Sequence, residues 1–261
     1  MALKEIPVKK TQGLLSRLDE IGQSLARSGH ALALIGLGSV GTELQRLDQY
    51  SDLDFFAIVE QGHKWGFINE LGWLSEINPI AYCFKNSPDG YKLLFEDGIF
   101  CEFAVFELAE LAHIPFAAGR IVWKQPWVDE SIAFPARPTA APQPSPTEWL
   151  VGEALTNLYV GLGRYRRGEK LSAARFIQNY AVDRILDLAA HIEAEQPAFK
   201  DQFASERRFE QRFPEIARRL PGFVAGYGAS PQAALAILEF LESHFEVNPP
   251  MAKAIRELCV D

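Results

Sequence analysis

The hydrophobic pattern changes its period once along this chain, and that change divides it in two. Between residues 31 and 106 the apolar residues come in short dense runs: ALALIGL (31–37), LDFFAIV (53–59), PIAYCF (79–84), YKLLF (91–95) and IFCEFAVF (99–106). Runs this short, punctuated by Gly, Pro, Asn and Asp, read as strands. After Thr147 the spacing turns helical, first in Leu150, Leu155, Leu158, Leu162 and Tyr165, then in Leu171, Ala174, Ile177, Ala181, Ile185 and Leu188. Further helices are expected near 203–219, 231–245 and 249–259, set off by Pro197, Pro214, Pro221, Pro231 and Pro249-Pro250. Between the two patterns, residues 126–146 carry six prolines and no helical period, which reads as an extended linker. The expected organisation is a domain over 1–125, a Pro-rich linker over 126–146, and a helical bundle over 147–261.

Two helices belong to the first half. Leu14, Leu15, Leu18, Ile21 and Leu25 place one over 9–28, closed by Gly29, and a second is expected over 63–76. Pro88-Asp89-Gly90 and Glu96-Asp97-Gly98 are tight-turn sequences, so the last three strands form an antiparallel meander. The earlier strands enter through longer connections, and the sheet is expected to be mixed. The fold class is therefore α+β: a mixed sheet flanked by helices, followed by an all-α bundle.

Composition narrows the function classes. With 26 Lys+Arg against 34 Asp+Glu, the net charge of -8 leaves no broad basic footprint for nucleic acid. No apolar run reaches 18 residues, so no membrane-spanning helix is expected, and MALKEIPVKKTQ lacks the apolar stretch of a signal peptide. Cys83, Cys101 and Cys259 are odd in number and show no CxxC spacing, which fits reduced thiols in the cytoplasm. The five histidines are scattered, which argues against a His-rich metal centre; His63 and His113 fall at element ends and receive no role.

The chemistry-bearing residues are acidic. Gly38-Ser39 ends the first strand run; after a gap of twelve residues come Asp52 and Asp54, at the start of the second. Positions i and i+2 of a strand share a face, so the two carboxylates point together and repel unless a cation lies between them. An oxygen-seeking divalent ion such as Mg²⁺ meets that need. Glu102 interrupts an otherwise apolar strand and, if buried, requires either a basic side chain or a metal; the alternative is a glutamate facing water. Gly38 permits close backbone approach to a phosphate, Ser39 offers a hydroxyl, and a following helix N-terminus would add free N–H groups. Gly36, Gly38 and Gly41 also satisfy G-x-G-x-x-G. The segment after them is short, polar and without an apolar face, which argues against a dinucleotide-binding crossover.

Gly-Ser, a gap of this length, Asp-apolar-Asp and a later acidic residue together resemble the signature of the nucleotidyltransferase superfamily related to DNA polymerase β. The stretches GSVGTELQRLDQYSDLDFFAIV, NPIAYCFKN, IFCEFAVF and NLYVGLGRYRRGEKLSAARFIQ resemble two-domain lincosamide nucleotidyltransferases more closely. The resemblance implies ATP or another nucleoside triphosphate as co-substrate and two Mg²⁺ ions held by Asp52, Asp54 and Glu102. It implies Glu102 as base towards a substrate hydroxyl, and Gly38, Ser39, Lys170 and Arg175 on the phosphates. The implied acceptor is a small hydroxylated molecule of antibiotic type, lincosamide or aminoglycoside-like, with no nucleic acid or membrane partner and a homodimer as the assembly. A protein-modifying nucleotidyltransferase and a nucleotide-binding sensor without turnover stay open as alternatives. Trp123, Trp127 and Trp149 flank the linker and are expected to pack between domains.

Overall fold

The structure, a computed structural model, describes residues 8–136, 145–198, 200–201 and 204–260. The chain divides into two compact units, residues 1–140 and 141–261.

The first unit runs α1 (Val8–Arg27), β1 (Ala31–Gly36), two 3₁₀ turns (Gly38–Val40 and Leu44–Arg46), β2 (Leu53–Val59), α2 (Lys64–Asn69), α3 (Gly72–Ser75), β3 (Ile80–Phe84), β4 (Gly90–Phe95), β5 (Phe100–Glu107) and β6 (Arg120–Lys124). The strands form one sheet in the order β3-β4-β5-β2-β1-β6. The β2–β5 pair is parallel and the other neighbours are antiparallel, so the sheet is mixed. The chain is α+β.

Alternation along the central strands builds two cores. Leu53, Phe55, Ala57 and Val59 of β2 and Cys101, Phe103 and Val105 of β5 face α1, α2 and α3, where Leu14, Leu18, Ile21 and Leu25 present the helical stripe. Each Leu, Ile, Val or Phe among them, removed from water, contributes about 1.5–3 kcal/mol. Ala33, Ile35, Ile58 and Phe106 face the other way and are covered by Leu111, Phe116 and Ala133. This second core covers one end of that face. At the other end, where β2 and β5 begin, the face is half-open.

The structure differs from the sequence reading at several points. The strand β6 was not anticipated: its apolar run is only Ile121-Val122-Trp123, and its partner is the distant β1, through Leu34 opposite Trp123. The helix expected over 63–76 is two short ones, because the chain turns extended at Glu70 and the Trp73 indole donates to the Phe67 carbonyl at 3.1 Å. The start of the expected linker, 126–136, is packed chain: Val128 and Ala133 are buried, Asp129 caps a 3₁₀ turn, and Gly119 N–H donates to Ala133 C=O at 2.7 Å. Its apolar residues are needed to cover the Ile58–Phe106 face, a demand that proline content does not reveal. Residues 137–144 lie outside the described residues. Within the first unit, Trp123 lies close enough to α1 that a Cβ on Gly22 would meet its Cβ at 3.1 Å.

The second unit is helical: α4 (Thr147–Arg166), α5 (Lys170–Arg175), a π-helical turn (Phe176–Ala181), α6 (Val182–Leu188), the short α7 (Phe209–Arg212), α8 (Pro214–Ala217) and α9 (Leu220–Phe223), then α10 (Ser230–His244) and α11 (Pro249–Cys259). Its core joins Leu155, Leu158 and Leu162 of α4 to Ile177, Ile185 and Leu188, and to Ile237, Leu241 and Ile255. A Cβ on Gly161 would lie 2.6 Å from Ile177, so α4 approaches the π turn at backbone distance. Gln178, buried in that turn, exchanges hydrogen bonds with Gly226 at 2.8 and 2.9 Å and donates to Ser230 at 3.1 Å, which satisfies its amide. The helix expected over 203–219 is broken because Pro214 starts a new turn at α8.

Candidate active site at the open end of the sheet

The turn leaving β1 is a coil of backbone folded on itself. Leu37 N–H still pairs with Asp54 C=O at 2.7 Å; Gly38 then takes a φ of +51°, the left-handed region that glycine enters without penalty. A Cβ on Gly36 would meet Val40 O at 2.6 Å, and one on Gly41 would meet Gly36 O at 2.7 Å. All three glycines are therefore required by this turn. Arg120 on β6 fastens it by donating to Val40 O at 3.0 Å. The following strand is antiparallel to β1, which excludes a dinucleotide-binding crossover. The expected helix N-terminus is a single 3₁₀ turn whose Val40 and Gly41 amides donate to Leu37 and Gly38. A turn that short sums too few peptide dipoles to act as a helix end. What it offers is close backbone approach at Gly38 and the Ser39 hydroxyl, which has no hydrogen-bond partner among the described residues.

Asp54 and Glu102 are direct partners in the parallel β2–β5 ladder. They project from the half-open face, and Asp52 precedes them by two residues at the mouth of β2. A Cβ on Gly38 would lie 3.5 Å from both Asp54 Oδ2 and Arg46 Nη2, so the turn, one carboxylate and one guanidinium meet there. Arg46 comes from the second 3₁₀ turn, is almost fully covered, and pairs with Glu43. The sequence reading overlooked it, because nothing in the polar gap distinguishes it from Gln45 or Asp48.

Glu102 is not buried. It is 42% exposed and accepts from Lys92 Nζ at 3.1 Å and Asn86 Nδ2 at 3.1 Å. The expectation of a carboxylate inside a wholly apolar strand is thus corrected: only alternate residues of β5 are covered. The basic partner left open by the sequence is Lys92, directly opposite on β4. The same register continues to β3, so Phe84, Lys92, Glu102 and Asp54 form one row across four strands of one face. Phe84 and its i−2 neighbour Tyr82 are exposed on the edge strand beside it. Cys101, on the opposite side of β5 from Glu102, faces the other core. Burial pushes its thiol well above the usual range; Arg17 opposes the shift, and the negative charges of Asp52 and Asp54 add to it.

The three carboxylates do not close on a single point in the structure. Among the described residues, the group whose ligand atoms all lie within 4.8 Å of one another is His30, Glu60 and His63, at the opposite end of the strands. Glu102 is held by Lys92 and Asn86, and Arg46 and Asp54 both stand beside Gly38. The donor set nevertheless suits Mg²⁺: every group offers oxygen, and the row opens to solvent. The Lys92–Glu102 pair, half-exposed at both ends, is worth only about 0.2–1 kcal/mol, so a divalent ion displaces it at small cost.

Lys170 and Arg175 belong to the second unit. Both line a depression of about 470 Å³ with Gly168, Glu169, Ser172 and Tyr227. The neighbouring cations are engaged locally: Arg164 donates to Ser172 at 2.5 Å, Arg166 to Leu258 C=O at 3.0 Å, and Arg167 to Glu169 at 2.9 Å. Among the described residues neither Lys170 nor Arg175 forms an ion pair; Lys170 Nζ lies 5.3 Å from the Tyr165 ring centre.

The first unit is thus a mixed sheet with a tight Gly-Ser turn and three acidic side chains at one open end. No protein-family model and no curated protein matches the chain. Solved structures do resemble it. An aminoglycoside 6-adenyltransferase from Bacillus subtilis is 14% identical, over 92% of this chain and 89% of that one, with a TM-score of 0.34. A STING-associated CdnE c-di-GMP synthase from Capnocytophaga granulosa is 14% identical over 96% and 78%, with a TM-score of 0.33. A Thermotoga maritima CCA-adding enzyme complexed with tRNA is 11% identical over 99% and 73%, with a TM-score of 0.35.

Proposed function

We propose that the chain is a nucleotidyltransferase that moves a nucleoside monophosphate, AMP from ATP or its counterpart from another triphosphate, onto a hydroxyl of a small acceptor of antibiotic type. The observation that carries this reading is the in-register pairing of Asp54 with Glu102 on parallel strands, beside the Gly38 turn and open to solvent. Asp52, Asp54 and Glu102 would hold the two Mg²⁺ ions. When bound, Mg²⁺ neutralises phosphate charge and activates the attacking oxygen. Glu102, between Lys92 and Asp54 in the row, takes the acceptor hydroxyl proton. The hydroxyl oxygen bonds to the α-phosphorus as the bond to the β-phosphate bridging oxygen breaks, and pyrophosphate leaves. Gly38 and Ser39 receive the β/γ-phosphates. Orientation and charge neutralisation supply the acceleration.

The net charge of -8 supports a small acceptor over a nucleic-acid end. The three cysteines are free thiols, as a cytoplasmic setting requires, and no helix among the described residues is long and apolar enough to cross a membrane. One observation favours a second reading: Arg46 and Lys92 already stand at two of the carboxylates, as they would in a nucleotide sensor without turnover. Pyrophosphate release from Mg-ATP, measured with lincosamides, with aminoglycosides and without acceptor, separates the two. Release that requires one acceptor and vanishes in Asp54→Asn and Glu102→Gln supports the transferase. Mg²⁺-dependent ATP binding with no release under any acceptor supports the sensor, and no nucleotide binding refutes both.

A further inference from the structure

The end of the sheet opposite the carboxylates holds a second cluster of donor atoms. His30 directly precedes β1 and Glu60 directly follows β2. Glu60 N–H donates to His30 C=O at 2.9 Å, which adds one rung to the antiparallel ladder and puts the two side chains together; His30 Nδ1 lies 2.9 Å from Glu60 Oε2. The chain then turns back at once. His63 N–H donates to Glu60 C=O at 3.1 Å across a turn in which Gly62 takes a φ of +85°. Gly62 N–H is anchored to the Glu107 carboxylate at 2.8 Å, so the turn is pinned to the end of β5. The result stacks the His63 ring on the His30 ring, with centres 3.6 Å apart and planes 16° from parallel. The His63 ring makes no hydrogen bond among the described residues.

We propose that His30, Glu60 and His63 form a binding site for a transition-metal ion of the Zn²⁺ class. Two imidazoles and one carboxylate are a ligand set for a borderline ion, and a poor one for Mg²⁺. Bonds of about 2.0–2.1 Å in a tetrahedral shell put donors about 3.3 Å apart. Here one donor pair is already at 2.9 Å and all three fall within 4.8 Å, so side-chain rotation closes the shell. Two separate backbone clamps, the ladder rung and the Gly62 turn, hold the ligands, and a bare surface ion pair would need neither. A depression of about 420 Å³ adjoins both histidines and is edged by Glu70 and Glu76, which leaves a fourth coordination position open to water. The site lies about 17–20 Å from Asp54, at roughly 3.3 Å per strand residue, so its ion takes no part in phosphoryl chemistry. It ties the start of β1 to the entry of α2. The proposal is independent of the transferase reading.

The test is titration of the full chain with Zn²⁺ in millimolar Mg²⁺, which occupies oxygen-only sites. A Cys83→Ser background removes the exposed thiol as a competitor. Stoichiometry is read by chelator competition, and location by the imidazole NMR signals of the five histidines. The expected result is one equivalent bound, shifts at His30 and His63, and none at His113, His191 or His244. Affinity should fall in His63→Gln and in Glu60→Gln by at least the tenfold that even outer-shell changes cost. Circular dichroism establishes that each variant keeps its fold, and His30→Gln replaces any variant that does not. Absence of binding at micromolar Zn²⁺, shifts at other histidines, or undiminished affinity in folded variants would overturn the assignment.

Discussion

Replacing Glu102 with Gln separates function from stability in numbers the structure supplies. The Gln amide keeps an oxygen for the Asn86 hydrogen bond, now 3.1 Å, and loses the ion pair with Lys92. That pair is 3.1 Å long and 42% exposed at each side chain, which places it among surface pairs worth about 0.2–1 kcal/mol. At about 2–4 °C per kcal/mol for a chain of this size, Tm should fall by no more than about 4 °C. The proposed chemistry loses far more. A missing general base costs about 10²–10⁴ in rate, and a metal-binding carboxylate is lost with it. Lys92→Met removes the same ion pair from its other side. It should show the same small drop in Tm and, having no part in the chemistry, keep activity within a few-fold of wild type. Thermal melting and acceptor-dependent pyrophosphate release on the three proteins make the comparison. If Glu102→Gln retains more than about a tenth of the activity, below the loss expected for any general base, the reasoning fails. It fails equally if Lys92→Met and Glu102→Gln lose activity in parallel with a large loss of Tm, because Glu102 would then be a structural strut.

Three other outcomes follow from particular contacts. Gly38→Ala should cost about 1–2 kcal/mol through its left-handed φ alone, since its Cβ would meet only ordinary contacts at 3.5 Å; Gly36→Ala, whose Cβ would strike the Val40 carbonyl at 2.6 Å, should cost more, and urea unfolding ranks the two. Towards a thiol reagent at neutral pH, exposed Cys83 should react first and Cys101 only on unfolding, because Cys101 is buried and its thiol pKa is raised; counting modified cysteines by mass checks this. Asp129 accepts from Ser131 N–H at 2.7 Å, and that bond holds its pKa below the usual carboxylate range. A depressed acid contributes stability above its unfolded-state pKa and loses it as pH falls through the folded value. Asp129→Ala should therefore lower Tm at neutral pH, and the gap to wild type should close in acid.

Much of this protein is readable locally. The run LDFFAIV is a strand over the residues expected of it, and the PPMAKAIRELC segment is the helix its spacing implies. Both follow from short-range rules, alternation in one case and a 3.6-residue period behind a proline pair in the other. Asp54 falls inside the LDFFAIV strand, and Asp52 lies just ahead of it. Elements that depend on distant partners were not legible. The apolar run of β6 is too short to announce itself, and 126–136 looks like linker until the uncovered Ile58–Phe106 face is seen to need it. Proline content describes the freedom of a free chain, and burial against a sheet overrides it.

The sites divide along the same line. Sequence alone determined which residue types were available and where they fell along each strand: a Gly-rich turn, an acidic pair, and a glutamate among apolar residues. Tertiary structure decided which of them meet. The parallel pairing of β2 with β5 sets Asp54 opposite Glu102, and a shift of one residue would have turned Glu102 into the α1-side core. The same register delivers Lys92 to Glu102, which decides between the two readings left open for that carboxylate: it is half-exposed and paired. Histidines dismissed as scattered come together because His30 and Glu60 are thirty residues apart in sequence and one hydrogen bond apart in the ladder. Register between strands is set by the packing of whole faces, summed over every residue of the sheet. No local period carries that information.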